Sequence, residues 1–154
     1  MRRSRTIVVG ICLMFCLAAV SAAADSPART PPVVPEDYFS IANITDLAVS
    51  PVGSRVAYTE MRWEPPEETR NSDLWVLDTS TRETRRLTFD RGWEASPSWS
   101  PDGAFIYYTS TVERAGDDKP PYDGNKQLWR ISPDGGEPQA VTRIAEGIGL
   151  YDLA

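Results

Sequence analysis

Apolar residues along this chain fall in runs of four to six, or alternate with polar ones over a similar length. Neither arrangement repeats at the 3.6-residue spacing of a helical stripe, and both suit β-strands. The clearest runs are Arg55-Val56-Ala57-Tyr58-Thr59, Asp73-Leu74-Trp75-Val76-Leu77-Asp78, Phe105-Ile106-Tyr107-Tyr108-Thr109 and Gln127-Leu128-Trp129-Arg130-Ile131-Ser132. Ser98-Trp99-Ser100-Pro101-Asp102-Gly103 leads into the third of them with turn chemistry. Pro101 fixes φ early in the turn, and Gly103 accepts the left-handed conformation at its end. The pattern predicts an all-β fold.

The strands also recur in order. Ala48-Val49-Ser50-Pro51-Val52-Gly53 precedes the first run as the Ser98–Gly103 phrase precedes the third, fifty positions later. Each unit then reaches a Leu-Trp strand and closes on a basic-apolar-Thr phrase or its variant, Arg86-Leu87-Thr88 and Ala140-Val141-Thr142. A period near 50 residues, with four strands to a unit, is that of β-propeller blades. Blade one is expected over about 44–93 and blade two over about 94–146. Residues 147–154 are expected to begin a third, because Asp152-Leu153-Ala154 matches Asp46-Leu47-Ala48. Val52 stands where the second copy has Asp102, so the first turn is expected to be looser. Met61 to Ser72 and Val112 to Lys126 are expected as long loops at the same place in each unit, between second and third strands. Equivalent insertions project from one face, and such a face is often used for binding.

Ahead of the repeat, Arg2, Arg3 and Arg5 are followed by an uncharged apolar run, Ile7 to Val20, and by Ala22-Ala23-Ala24. This order describes a secretory signal peptide over 1–24, cleaved between Ala24 and Asp25. The run is shorter than the ~20 residues that span a bilayer, so no stable membrane anchor is expected. The localisation expected is periplasmic or extracellular. Residues 25–36, with four prolines, read as an extended linker. Asp37-Tyr38-Phe39-Ser40-Ile41 reads as a short lead-in that packs aromatics onto the first blade. The incomplete propeller is expected over 37–154.

Formal net charge is −6, and removal of Arg2, Arg3 and Arg5 with no acid takes it to −9. An acidic chain with no basic cluster repels phosphate backbones, so nucleic acid is not an expected partner. Both cysteines, Cys12 and Cys16, lie in the signal and leave no disulfide framework. Histidine is absent, which excludes a Ser-His-Asp relay and a histidine metal ligand within the chain, and no Gly-x-Ser-x-Gly occurs. No catalytic, cofactor-binding or metal-binding residue is expected here, and no cofactor.

The remaining candidates read as structural. Trp75 and Trp129 hold equivalent strand positions, where a large ring fills the wedge between sheets; Trp99 and Tyr58 belong to buried or half-buried strand faces. Asp102-Gly103 and Asp134-Gly135-Gly136 lack the alternating oxygen ligands of a calcium loop, and their carboxylates suit their own turns. Asp117, Asp118 and Asp123 form an acidic group without a ligand register, and Asn43-Ile44-Thr45 matches the glycosylation acceptor pattern.

Four passages together resemble the N-terminal β-propeller of exported prolyl oligopeptidase family serine peptidases, in the acylaminoacyl-peptidase and dipeptidyl aminopeptidase branch. They are Ser50–Tyr58, Asp73–Asp78, Arg85-Arg86-Leu87-Thr88 and Pro97–Gly103, joined by the lead-in Pro35-Glu36-Asp37-Tyr38-Phe39. The resemblance implies a seven- or eight-bladed propeller that gates and positions peptide substrates for a C-terminal α/β-hydrolase domain of the same parent chain. None of that domain's catalytic positions lies in these 154 residues. The turn phrase is shared with TolB-like periplasmic propellers, and a protein-binding module of that type is the alternative. Two blades alone leave sheet faces uncovered, so fragment 25–154 is expected to be poorly soluble or only partly folded.

Overall fold

The computed structural model describes residues 31, 32, 34–64 and 69–153. The expected signal peptide, and residues 25–30 of the expected linker, lie outside the described residues. Pro35 and Glu36, placed in the linker by the sequence, instead open a 3-10 helix, Pro35–Ser40. Proline suits a first helical position, where its missing N–H has no partner to lose. The Asp37 carboxylate accepts the Val34 amide at 2.9 Å and fixes the start of the helix.

Two four-stranded antiparallel sheets follow, each a simple up-and-down meander. The first contains β1 (Asn43–Val49), β2 (Arg55–Glu64), β3 (Thr69–Asp78) and β4 (Thr84–Arg86). The second contains β5 (Ala95–Trp99), β6 (Ile106–Ser110), β7 (Gln127–Ile131) and β8 (Gln139–Ala140). This is the all-β, partial-propeller architecture that the repeat predicts. Residues 147–153 carry no strand; the Tyr151 hydroxyl donates to the backbone oxygens of Ser96 and Tyr107 and lays this segment along the second sheet.

Strand alternation decides which side chains meet between the sheets. In the first sheet Ala57 pairs with Val76, and Val56 with Leu77, so the two sets point to opposite faces. Ala57, Leu74, Val76 and Leu87 join Trp99, Ile106, Tyr108, Trp129 and Ile131 of the second sheet in one buried cluster. The Trp99 indole also donates to the backbone oxygen of Ala48 at 3.0 Å, and the Asp46 carboxylate accepts the Ser96 amide at 3.2 Å. The sheets are therefore joined by apolar packing and by polar ties near β1 and β5.

The repeated phrases have identifiable mechanical roles. In each turn a serine does three things: its amide and hydroxyl pair with the residue five positions on, Arg55 or Phe105, and its carbonyl accepts the glycine amide. The distances for Ser50 are 2.8, 3.0 and 2.8 Å, and for Ser100 2.9, 2.9 and 2.9 Å. Gly53 and Gly103 both adopt positive φ, 72° and 70°. The first turn is thus as tight as the second in its backbone, against the expectation drawn from Val52; only the side-chain bonds of Asp102 are missing. The closing threonines extend a ladder that backbone alone would end. Leu87 donates its amide to Leu74, and the Leu74 amide donates to the Thr88 hydroxyl at 2.9 Å. Val141, Leu128 and Thr142 repeat the arrangement at 2.8 and 2.9 Å.

Of the two loops expected between second and third strands, the second is a loop and the first is not. Met61–Glu64 and Thr69–Ser72 continue β2 and β3 as a paired ladder, so most of the first insertion is hairpin. Residues 111–126 of the second sheet form turns with isolated bridges at Glu113↔Asp123 and Arg114↔Asp117. Cross-strand pairing carries the first as strand, although Thr69–Ser72 is wholly polar, while Gly116, Pro120, Pro121 and Gly124 interrupt the second.

Candidate functional site

In an antiparallel meander, successive connections alternate between two ends of the sheet. The Ser-Pro turns therefore share one end. The 3-10 helix, the end of β2 and start of β3, the Leu87–Glu94 crossover and the loop after β6 share the other. This hairpin end carries the exposed aromatic residues and the least ordinary electrostatics of the described chain.

Tyr38 and Phe39 of the 3-10 helix sit 6.4 and 5.5 Å from the Trp63 ring on β2. The lead-in thus packs aromatics on the first blade, near the end of β2. The Arg70 guanidinium lies 4.9 Å from the Trp63 ring and donates to the Tyr38 hydroxyl. Cation–π contacts of this kind hold a guanidinium in place while leaving it hydrated. Across the crossover, Arg114 stacks at 4.0 Å over Tyr122 and pairs with Asp90 at 2.8 Å, and Tyr122 packs on Trp129. Phe89 and Trp93 are exposed between these groups.

Beneath the aromatics lies a buried polar layer. Asp73 pairs with Arg86 at 2.7 Å, yet burial pushes its carboxyl above the ordinary value more strongly than Arg86 draws it down. The Asn71 side chain donates weakly toward Asp73, and its oxygen accepts the Gly92 amide at 3.3 Å. Glu94 is only 1% exposed and takes a hydrogen bond from Ser110 at 2.9 Å; burial pushes its pKa to about 8. Sequence reasoning missed this layer. The alternating apolar pattern shows that position 94 lies near a strand start, but no local signal marks a lone glutamate as buried.

The residues singled out from sequence are dispersed. Trp129 is 3% exposed between the sheets, as expected of a wedge-filling ring, whereas Trp75 is half-buried on the opposite face of the first sheet, stacked 6.4 Å from Tyr58. Asp102 accepts from the Ser100 hydroxyl and the Ala104 amide, which hold its carboxyl below the ordinary range, in that order of effect. Asp134 pairs with Arg55 at 2.8 Å and its carbonyl accepts from Arg85, so it ties the two sheets at the turn end. Asp117, Asp118 and Asp123 do come together, lining one open hollow of about 400 Å³, where Asp123 also accepts from Asn125. Among the described residues, no group of three or more His, Cys, Asp or Glu side chains is placed to hold a metal ion. Asn43 is exposed at the start of β1. Among these residues no helix is long and apolar enough to cross a membrane.

No protein-family model matches the chain. It is 28% identical over 116 residues to a protein of Bacillus subtilis named as an uncharacterized peptidase, YuxL, covering 75% of this chain. It is 29% identical over 119 residues to dipeptidyl-peptidase 5 of Porphyromonas endodontalis, covering 77% of this chain. The chain spans 16% of the length of each of these relatives. Its fold matches 21% of the isopeptidase AtxE2 with a TM-score of 0.60 and 21% identity over 77% of this chain, which shows a shared blade architecture. In sequence the chain is thus similar to part of two proteins named as peptidases, in keeping with its resemblance to peptidase propellers, and in fold it shares the blade architecture of a third.

Proposed function

We propose that this chain is the N-terminal propeller portion of an exported serine peptidase, and that it gates and positions peptide substrates for an α/β-hydrolase domain elsewhere in the parent. The observation that carries this reading is the likeness to two proteins named as peptidases over about three quarters of this chain, 75% and 77%. The hairpin end supports it. Stacked aromatics and held guanidiniums offer apolar area and hydrogen-bond donors together, which suits contact with another domain or with a peptide backbone. The chemistry is assigned to the parent because the chain has no histidine and no nucleophile motif. The signal-like first 24 residues support export.

Labelling host extracts with a fluorophosphonate probe, which marks active serine hydrolases, tests the reading. Peptides of this chain should be recovered from a labelled species several times its mass. Recovery only from unlabelled species would overturn it; a larger unlabelled one would favour the TolB-like binding module.

A further inference from the structure

The crossover from the first sheet to the second passes through one residue that both sheets grip. Glu94 donates its amide to the Ser72 carbonyl of β3 at 3.1 Å, and its own carbonyl accepts the Ser72 hydroxyl at 2.7 Å. Its side chain crosses to β6, where Ser110 donates to Oε1 at 2.9 Å. The approach is close: a Cβ on Gly92 would lie 3.1 Å from both the Ser110 hydroxyl and the Val112 amide.

The other carboxyl oxygen, Oε2, is buried without a partner among the described residues, and so is the Trp129 indole nitrogen. Glu94 and Trp129 line the same cavity, with Thr88, Asp90, Tyr108 and Val112, and its volume is about 20 Å³. That space admits one water and excludes a hydrated cation. The charged neighbours cannot neutralise a carboxylate either. Asp73 on β3 and Asp90 in the crossover are both acidic, and their cations, Arg86 and Arg114, are already bound to them. Tyr108 on β6 is kept neutral by burial, and Arg91 lines a separate groove with Arg70 and Trp93.

We propose that Glu94 is a proton-held latch between the two blades: neutral, it closes the junction, and ionised, it loosens it. Ionisation sends the Oε2 proton to solvent and leaves an anion that neither the cavity nor its neighbours can pair. A folded pKa of about 8 against an ordinary value of 4.5 fixes the sign. The latch contributes fully below pH 4.5, weakens as pH rises toward 8, and loses nothing further above that.

Urea unfolding of the full chain, followed by tryptophan fluorescence from pH 4.5 to 9.5, tests it against Glu94→Gln, which keeps a neutral side chain. The wild-type unfolding constant should rise relative to the variant by up to about tenfold per pH unit below the folded pKa, then run parallel above it. Parallel profiles throughout would overturn the latch. Should the variant fail to fold, the ¹³C shift of the Glu94 carboxyl in the wild-type chain decides. A shift still at the protonated position at neutral pH supports the proposal, and a titration complete in the ordinary carboxylate range refutes it.

Discussion

The two blades place matching residues at matching positions and bury them to different degrees. Trp129 and Trp75 are each paired with a tyrosine on the neighbouring strand, Tyr108 and Tyr58. Trp99 is 8% exposed against the first sheet, while its counterpart Val49 is 57% exposed and Leu47, two residues earlier, 65%. At the ends of the units the asymmetry reverses: Leu87 is buried against the second sheet, whereas Val141 is exposed. The repeat fixes a side chain's position within a blade. What covers that position belongs to the neighbouring sheet. A blade sequence alone therefore states a potential for burial, which is realised only on the face that meets another blade.

The tryptophan pair tests this most strongly. Trp129→Ala should destabilise the chain by about 3–5 kcal/mol, the usual cost of deleting a buried aromatic ring. Trp75→Ala removes the same atoms from a half-buried site and should cost about half as much. Urea midpoints measured side by side are the readout. Equal losses would show that contacts within each blade outweigh contact between sheets.

The legible part of the structure follows from the same distinction. Strand period, Ser-Pro turns and the fifty-residue spacing are local, so the all-β fold and the two blades could be read from the chain. The aromatic lead-in was also legible, because Tyr38-Phe39 stands next to the first strand with nowhere else to pack. The extent of the β2–β3 hairpin was not. Trp63 and Arg70 are strand residues only because they pair with each other, seven positions apart in the chain. Glu94 was equally hidden: its burial depends on Ser72, Ser110 and Trp129, which come from three different strands. Contacts assembled from distant segments leave no spacing to read.

The closing threonines give a finer comparison. Thr88 and Thr142 each accept a backbone amide, from Leu74 and Leu128, at 2.9 Å. Thr88 is buried, whereas Thr142 is half-buried and also donates to Gln127 at 2.8 Å. Replacement by valine keeps the shape and removes the acceptor. Thr88→Val should cost about 1–3 kcal/mol, because the Leu74 amide is left unpaired in a dry site. Thr142→Val should cost less, since water can reach the Leu128 amide. Amide hydrogen exchange at Leu74 and Leu128 resolves the two, and faster exchange at Leu128 alone would contradict the ranking.

The smallest effect separates the two turns. Ser100 and Ser50 each accept the amide of the residue five positions on, Phe105 and Arg55, so their own hydroxyl hydrogens remain to be donated. Ser100 gives its hydrogen to Asp102; Val52 offers Ser50 no acceptor. Val52→Asp should therefore raise the melting temperature slightly near neutral pH. The gain has a definite acid limit. A carboxyl held below its ordinary range by hydrogen bonds stabilises the fold above its unfolded pKa, and that stabilisation is lost as pH falls through the folded one. Melting curves at pH 6 and at pH ~3, below the ordinary aspartate value of about 3.9, should show the gain at the first and its erosion at the second. An increment that persists undiminished in acid would mean that the new side chain acts through turn propensity and not through its charge.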